Sequence, residues 1–138
     1  MGRIINPESA GKDRTRLTKA TLLAIRELMR QATPDAQTRD LAAFIVLALK
    51  EISETIDPTV DAWEKRGYWV KADRFRMDWD WCNSLGEKMR LATLTEDWSS
   101  VAQLAVLVAM KLGKVKLAQN HRLGTPWSGA WDRLRASA

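Results

Sequence analysis

The sequence predicts an all-α protein, a bundle of four long helices with two short ones added. Three observations carry that expectation. Apolar residues recur at a 3.6-residue period along most of the chain, with no strand-like alternation, internal repeat or low-complexity tract. A residue able to cap a helix precedes proline at Thr33-Pro34, Asp57-Pro58 and Thr125-Pro126. Two stretches, 41–49 and 101–110, are apolar on nearly every side, which marks buried, central helices.

The elements follow in order. Residues 1–13 are polar and aperiodic and contain Asn6-Pro7 and Gly11, so a flexible arm is expected ahead of one helical-bundle domain, 14–138. The first helix, about 14–32, places Leu17, Ala20, Thr21, Ala24, Ile25, Leu28 and Ala32 on one side. Pro34 disfavours helical geometry at Thr33, which becomes the expected cap of the second helix, about 34–56. Its middle, LAAFIVLAL, must be covered all round. Asp57-Pro58 opens a short third helix, about 58–66, stopped by Gly67.

The fourth helix, about 68–92, carries a seam at Tyr68, Ala72, Phe75, Trp79, Cys82, Gly86 and Met89. Val70, Met77 and Trp81 lie opposite that seam and need a separate cover. Thr93 or Thr95 is the expected cap of the fifth helix, about 95–118, read as a second central rod beside the one near residue 45. The sixth, about 126–135, places Trp127, Trp131 and Leu134 at i, i+4 and i+7. A helix that short must dock, and the face of Val70, Met77 and Trp81 is the expected dock.

Charge is unevenly distributed. The net charge is +5, but residues 1–30 carry +4, 31–64 carry −5, and 65–92 and 93–138 carry +3 each. One acidic segment among three basic ones either attracts an anionic partner or holds the helices to each other. On the first helix Arg16, Lys19, Arg26 and Arg30 share the outward side, with Lys12 just ahead of them. Such a stripe can follow a phosphate backbone; otherwise it is a solvated face, or it docks against the segment holding Asp40, Glu51 and Glu54.

Motifs for chemistry are sparse. Gly11-Lys12 lacks the glycine, the Ser/Thr and the preceding strand of a phosphate loop. The only histidine, His121, lies outside any Glu-x-x-His pair of a carboxylate-bridged metal centre. Cys82, the only cysteine, lies on the seam and reads as an inert buried thiol. No catalytic residue, metal or cofactor is therefore expected. Tryptophan is abundant, seven residues in all, and its main expected use is packing, with Trp63, Trp79 and Trp98 in cores and Trp69 and Trp81 at helix contacts.

The longest unbroken apolar run, 41–49, is half a membrane span, MGRIINPESAGKDR lacks the apolar core of a secretory signal, and a lone thiol suits a reducing compartment. A cytoplasmic protein with no membrane contact is expected. The leading functional reading is a non-enzymatic bundle that contacts other proteins, itself included, through Val70, Met77, Trp81, Trp127, Trp131 and Leu134. A second reading is a nucleic-acid accessory protein using Lys12, Arg16, Lys19, Arg26 and Arg30. A third, a bundle enzyme or cofactor-binding protein, rests on the Trp, Asp and Arg mixture of residues 69–81.

Overall fold

A computed structural model describes residues 7–137; residues 1–6 of the expected arm lie outside the described part. Every regular element described is a helix, as the sequence predicts. The first, α1 (Pro7–Met29), begins earlier than residue 14. Pro7 suits a first helical turn, where its missing N–H is not needed, and Ala10 is fully buried. Arg14 then ties this end to the next layer by donating from Nη1 to the Thr55 carbonyl and to the hydroxyls of Thr55 and Thr59. Tertiary contacts thus make residues 7–13 helical where periodicity is weak. The expected face of α1 is buried from Leu17 to Leu28, but Ala32 is exposed in the following loop.

Asp35, not Thr33, caps α2 (Ala36–Glu54). Its carboxylate accepts from the Thr38 N–H at 3.0 Å while the Thr38 hydroxyl accepts from the Asp35 N–H at 3.1 Å. A reciprocal pair satisfies two free donors, which a Thr33 cap followed by proline does not. Helix α2 is the centre of the fold, with Leu41, Ala42, Ala43, Ile45, Leu49 and Ile52 fully buried beneath α1 and two later helices.

Thr55 has helical dihedrals, so α3 (Ile56–Lys65) follows α2 directly and Asp57 is not its cap. Pro58 sits in the first turn, where it breaks no helix bond. At the far end Gly67, with φ +80°, lets the Tyr68 N–H reach back to the Trp63 carbonyl at 2.9 Å and closes the helix.

The expected fourth helix is two, α4 (Trp69–Trp79) and α5 (Trp81–Leu94), joined at Asp80. The joint has a packing reason. Ala72 of α4, with Phe75 and Trp79 beside it, packs with Ile56 and Val60 in a small second core, whereas Cys82 and Met89 of α5 belong to the main one. Gly86 permits a close approach of α5 to α2, since a Cβ there would lie 3.4 Å from the Leu49 Cβ. Tyr68, predicted on the seam, is exposed.

Asp97 caps α6 (Trp98–Lys111), accepting from the Ser100 N–H at 3.3 Å and its hydroxyl at 2.7 Å. Thr93 is instead fully buried, and Thr95 donates back to the Leu91 carbonyl at 2.9 Å. Helix α6 is not the second central rod. It packs on α5 and α1 with Val101, Ala105 and Val108, and leaves Val106, Leu107 and Met110 in solvent. An apolar residue on every side requires cover only if some element is available to cover it, and none lies over this face among the described residues. The helix also ends at Lys111 rather than near 118, and the chain continues without helix to residue 125, with Val115, Leu117 and Leu123 packed against the core.

The last helix, α7 (Ala130–Ser137), begins later than 126 because residues 126–129 form a turn. The Thr125-Pro126 signal does not cap it. The carboxylate of Asp40 on α2 takes that role, accepting from the N–H groups of Gly129 at 3.3 Å and Trp131 at 2.9 Å. Docked there, α7 lies on α2 and buries Ala130 and Leu134. It does not cover Val70 and Met77, as the sequence led us to expect.

Candidate functional site

The six residues expected to form one contact surface separate into three groups. Trp127 and Leu134 are buried within the chain. Trp81 and Trp131 are half-buried against the main core. Only Val70 and Met77 stand free, 69% and 75% exposed, and Trp69 joins them at 61% with Tyr68 close behind. On a helix whose core-facing residues are buried Ala72 and partly buried Phe75 and Trp79, positions 70, 74 and 77 point away from the core. Two aliphatic side chains are therefore held at the outermost positions of α4, with Arg74 between them.

A second uncovered face was not foreseen as a surface. On α6, Val106, Leu107 and Met110 (71% exposed) point outward, and Leu91 of α5 adds another exposed apolar side chain. Leu91, Leu104 and Leu107 share a shallow groove between α5 and α6, edged by Lys88, Asp97 and Gln103. The signal lay in the apolar run 101–110 itself, read as burial rather than as exposure.

Most of the tryptophan is packing. Trp63 meets Phe75 edge-on at 5.1 Å, Phe75 lies 6.2 Å from Trp79, and Trp79 stacks on Trp81 at 6.2 Å. This aromatic row runs across α3, α4 and the start of α5 and spans the joint at Asp80. Trp69, expected at a helix contact, is instead exposed.

Arg14 is the residue that sequence reasoning passed over. Its guanidinium carbon lies 4.7 Å from the Phe75 ring centre and 5.7 Å from that of Trp79. Burial lowers its pKa from the ordinary arginine value, yet a guanidinium remains charged in such surroundings. A signal for it existed, because Arg14 falls three and seven residues before Leu17 and Thr21, on the apolar stripe of α1.

The five cations of the predicted anion-binding stripe are all exposed, four on α1 and Arg30 just past its end. Lys12 pairs with Glu8 at 3.4 Å, Arg16 with Asp13 at 3.8 Å and Arg30 with Glu27 at 3.0 Å. Lys19 and Arg26 have no ion-pair partner among the described residues. Lys12, Arg16 and Lys19 share a shallow groove with Leu123 from the late loop. Asp40, one of the acids that could have neutralised the stripe, is engaged with α7.

Among the described residues no group of three or more His, Cys, Asp and Glu is placed to hold a metal ion. Burial pushes the Cys82 thiol up to about 12, so it stays protonated and unreactive near neutrality. His121 accepts the Leu123 N–H at Nδ1, 3.3 Å away, which is a loop-shaping contact. No described helix is long and apolar enough to cross a membrane. Comparison of the chain with protein-family models, curated proteins and solved structures finds no match.

Proposed function

We propose that this protein works by contacting other proteins, a second copy of itself included, and that it does so without catalysis. The observation carrying this reading is the outward presentation of Trp69, Val70 and Met77 on α4, each more than half exposed. Contiguous exposed apolar side chains with a polar rim are characteristic of interaction surfaces, and Arg74 and Lys71 supply the rim here. The outward face of α6 offers a second surface of the same character. A lone buried thiol fits a reducing compartment, and we place the protein in the cytoplasm.

Sedimentation velocity of the full chain and of a Val70→Glu, Met77→Glu double variant tests the reading. Concentration-dependent association that the double variant loses, with unchanged melting, is the expected result. A wild type that remains monomeric across the accessible concentration range, and takes no partner from its own cells that the variant fails to take, removes it.

A second reading has its own support. Among the described residues Lys19 and Arg26 are without ion pairs, and the exposed pairs at Lys12, Arg16 and Arg30 are weak enough to exchange for phosphates. If about four phosphates were neutralised, log K would fall with log salt at a slope of roughly −3.6. Titration of duplex and single-stranded oligonucleotides at two salt concentrations decides. Identical binding by a variant with alanine at Arg16, Lys19, Arg26 and Arg30 rules out this stripe.

A further inference from the structure

A cavity of about 150 Å³ lies between α2, α5 and α7. It is a cleft that opens to solvent, with Asn83 and Ser137 among its polar walls. Its walls are apolar where they are deepest. Cys82 and Leu134 are almost wholly buried there, Val46 nearly so, and Gly86 contributes no side chain. The mouth is different. Lys50 stands exposed on it with no ion-pair partner among the described residues, and Arg90 lies opposite with Nη1 3.4 Å from Glu87.

We propose that this slot is a binding site for a small amphiphilic carboxylate, its apolar body against Val46, Cys82 and Leu134 and its charge at Lys50. Volume sets the body, because a space of about 150 Å³ accommodates a group the size of benzene. Charge sets the head. Arg90 shares its charge with Glu87 in a partly exposed pair, so Lys50 is the cation without a partner among the described residues and a single negative charge balances it. A neutral hydrophobe forgoes that contact, and a dianion meets the carboxylate of Glu87. The thiol at the deep end, Cys82, stays protonated, so the site binds without reacting. Helix α7, held by Asp40 at its first turn, walls one side of the cleft with Leu134 and Ser137. This site is separate from the outward faces of α4 and α6 and stands or falls independently of them.

Benzoate is the probe, with benzyl alcohol as its neutral counterpart, titrated into the full chain and followed by amide shifts and melting temperature. Saturable benzoate binding is expected, with shifts at Val46, Cys82 and Leu134. Benzyl alcohol should bind about two- to fivefold more weakly, the scale of one exposed charge contact, and Lys50→Gln should erase that difference. Val46→Phe, which fills the slot, should abolish binding of both. Lys50 is exposed, so its variant folds normally and keeps the test decisive even if Val46→Phe unfolds. Absence of saturable binding by the wild type, binding that survives Val46→Phe, or a benzoate preference unchanged in Lys50→Gln would overturn the assignment.

Discussion

The guanidinium of Arg14 rests 4.7 Å from the centre of the Phe75 ring while donating to the Thr55 carbonyl and hydroxyl. One side chain thereby joins α1 to the end of α2 and to the aromatic row of α4. Arg14→Ala should cost about 2–3 kcal/mol, from the lost hydrogen bonds and ring contact together. A double-mutant cycle with Phe75→Leu should return a coupling of about 0.5–2 kcal/mol by chemical denaturation. Strict additivity would mean that the guanidinium is held by the threonines alone.

Asp40 is the only side chain seen to satisfy free N–H groups at the start of α7 among the described residues. Asp40→Ala should destabilise the protein by about 1–2 kcal/mol, the usual cost of a lost cap. Limited proteolysis should then cut between Gly124 and Ala130 faster than in the wild type. An unchanged cleavage rate would show that the burial of Trp127 and Leu134 alone holds this helix.

Two helix caps make stability depend on acid. The Thr38 N–H holds Asp35 below the ordinary carboxylate range, and the Ser100 hydroxyl and N–H do the same for Asp97. A carboxylate whose pKa is depressed by folding stabilises the fold fully above its unfolded pKa, about 3.9, and that contribution is lost as pH falls through the folded value. Melting temperature should therefore decline less steeply below about pH 4 in Asp35→Asn and Asp97→Asn than in the wild type, from a lower starting point near neutrality. Parallel acid limbs would assign the decline to other carboxylates.

Gly86 faces Leu49 where α5 packs on α2. Gly86→Leu should cost about 1–3 kcal/mol or more through overpacking. Gly86→Ala should change little, because its added methyl meets Leu49 at 3.4 Å while the helix gains roughly 1 kcal/mol of propensity. Equilibrium urea unfolding of both variants separates the two effects.

Cys82 should resist modification. With its pKa raised to about 12 and its side chain buried, the thiol should react with a disulfide reagent at pH 8 only after denaturant is added. Rapid reaction of the native protein would show that the slot beside Cys82 opens widely.

The helical class was legible because periodicity is a local property, and α2 was legible as the centre because LAAFIVLAL leaves no polar side to expose. The same signal misled at α6. An apolar run states what a helix would bury, not whether a neighbour exists to bury it, and Val106, Leu107 and Met110 stay outside. The caps were misplaced for a related reason. Thr-Pro marks where the chain leaves or enters helix, but the donor–acceptor pairing chooses the cap, and Asp35 with Thr38 outcompetes Thr33. Asp40 could not have been found this way, since its partners lie 89 and 91 residues along the chain. Of the candidate contact surface, Val70 and Met77 were readable from helical angle alone, whereas burial of Trp127 and Leu134 depended on a docking site that pattern does not specify.

Ahead of the joint at Asp80, α3 and α4 gather around Ile56, Val60 and Ala72, a cluster separate from the large core. So small a hydrophobic unit has little to hold it closed, and backbone hydrogens in residues 56–79 should trade with solvent deuterium well before those of α2. The face bearing Trp69, Val70 and Met77 would then ride on the most readily loosened part of the molecule, free to adjust its shape to whatever it meets.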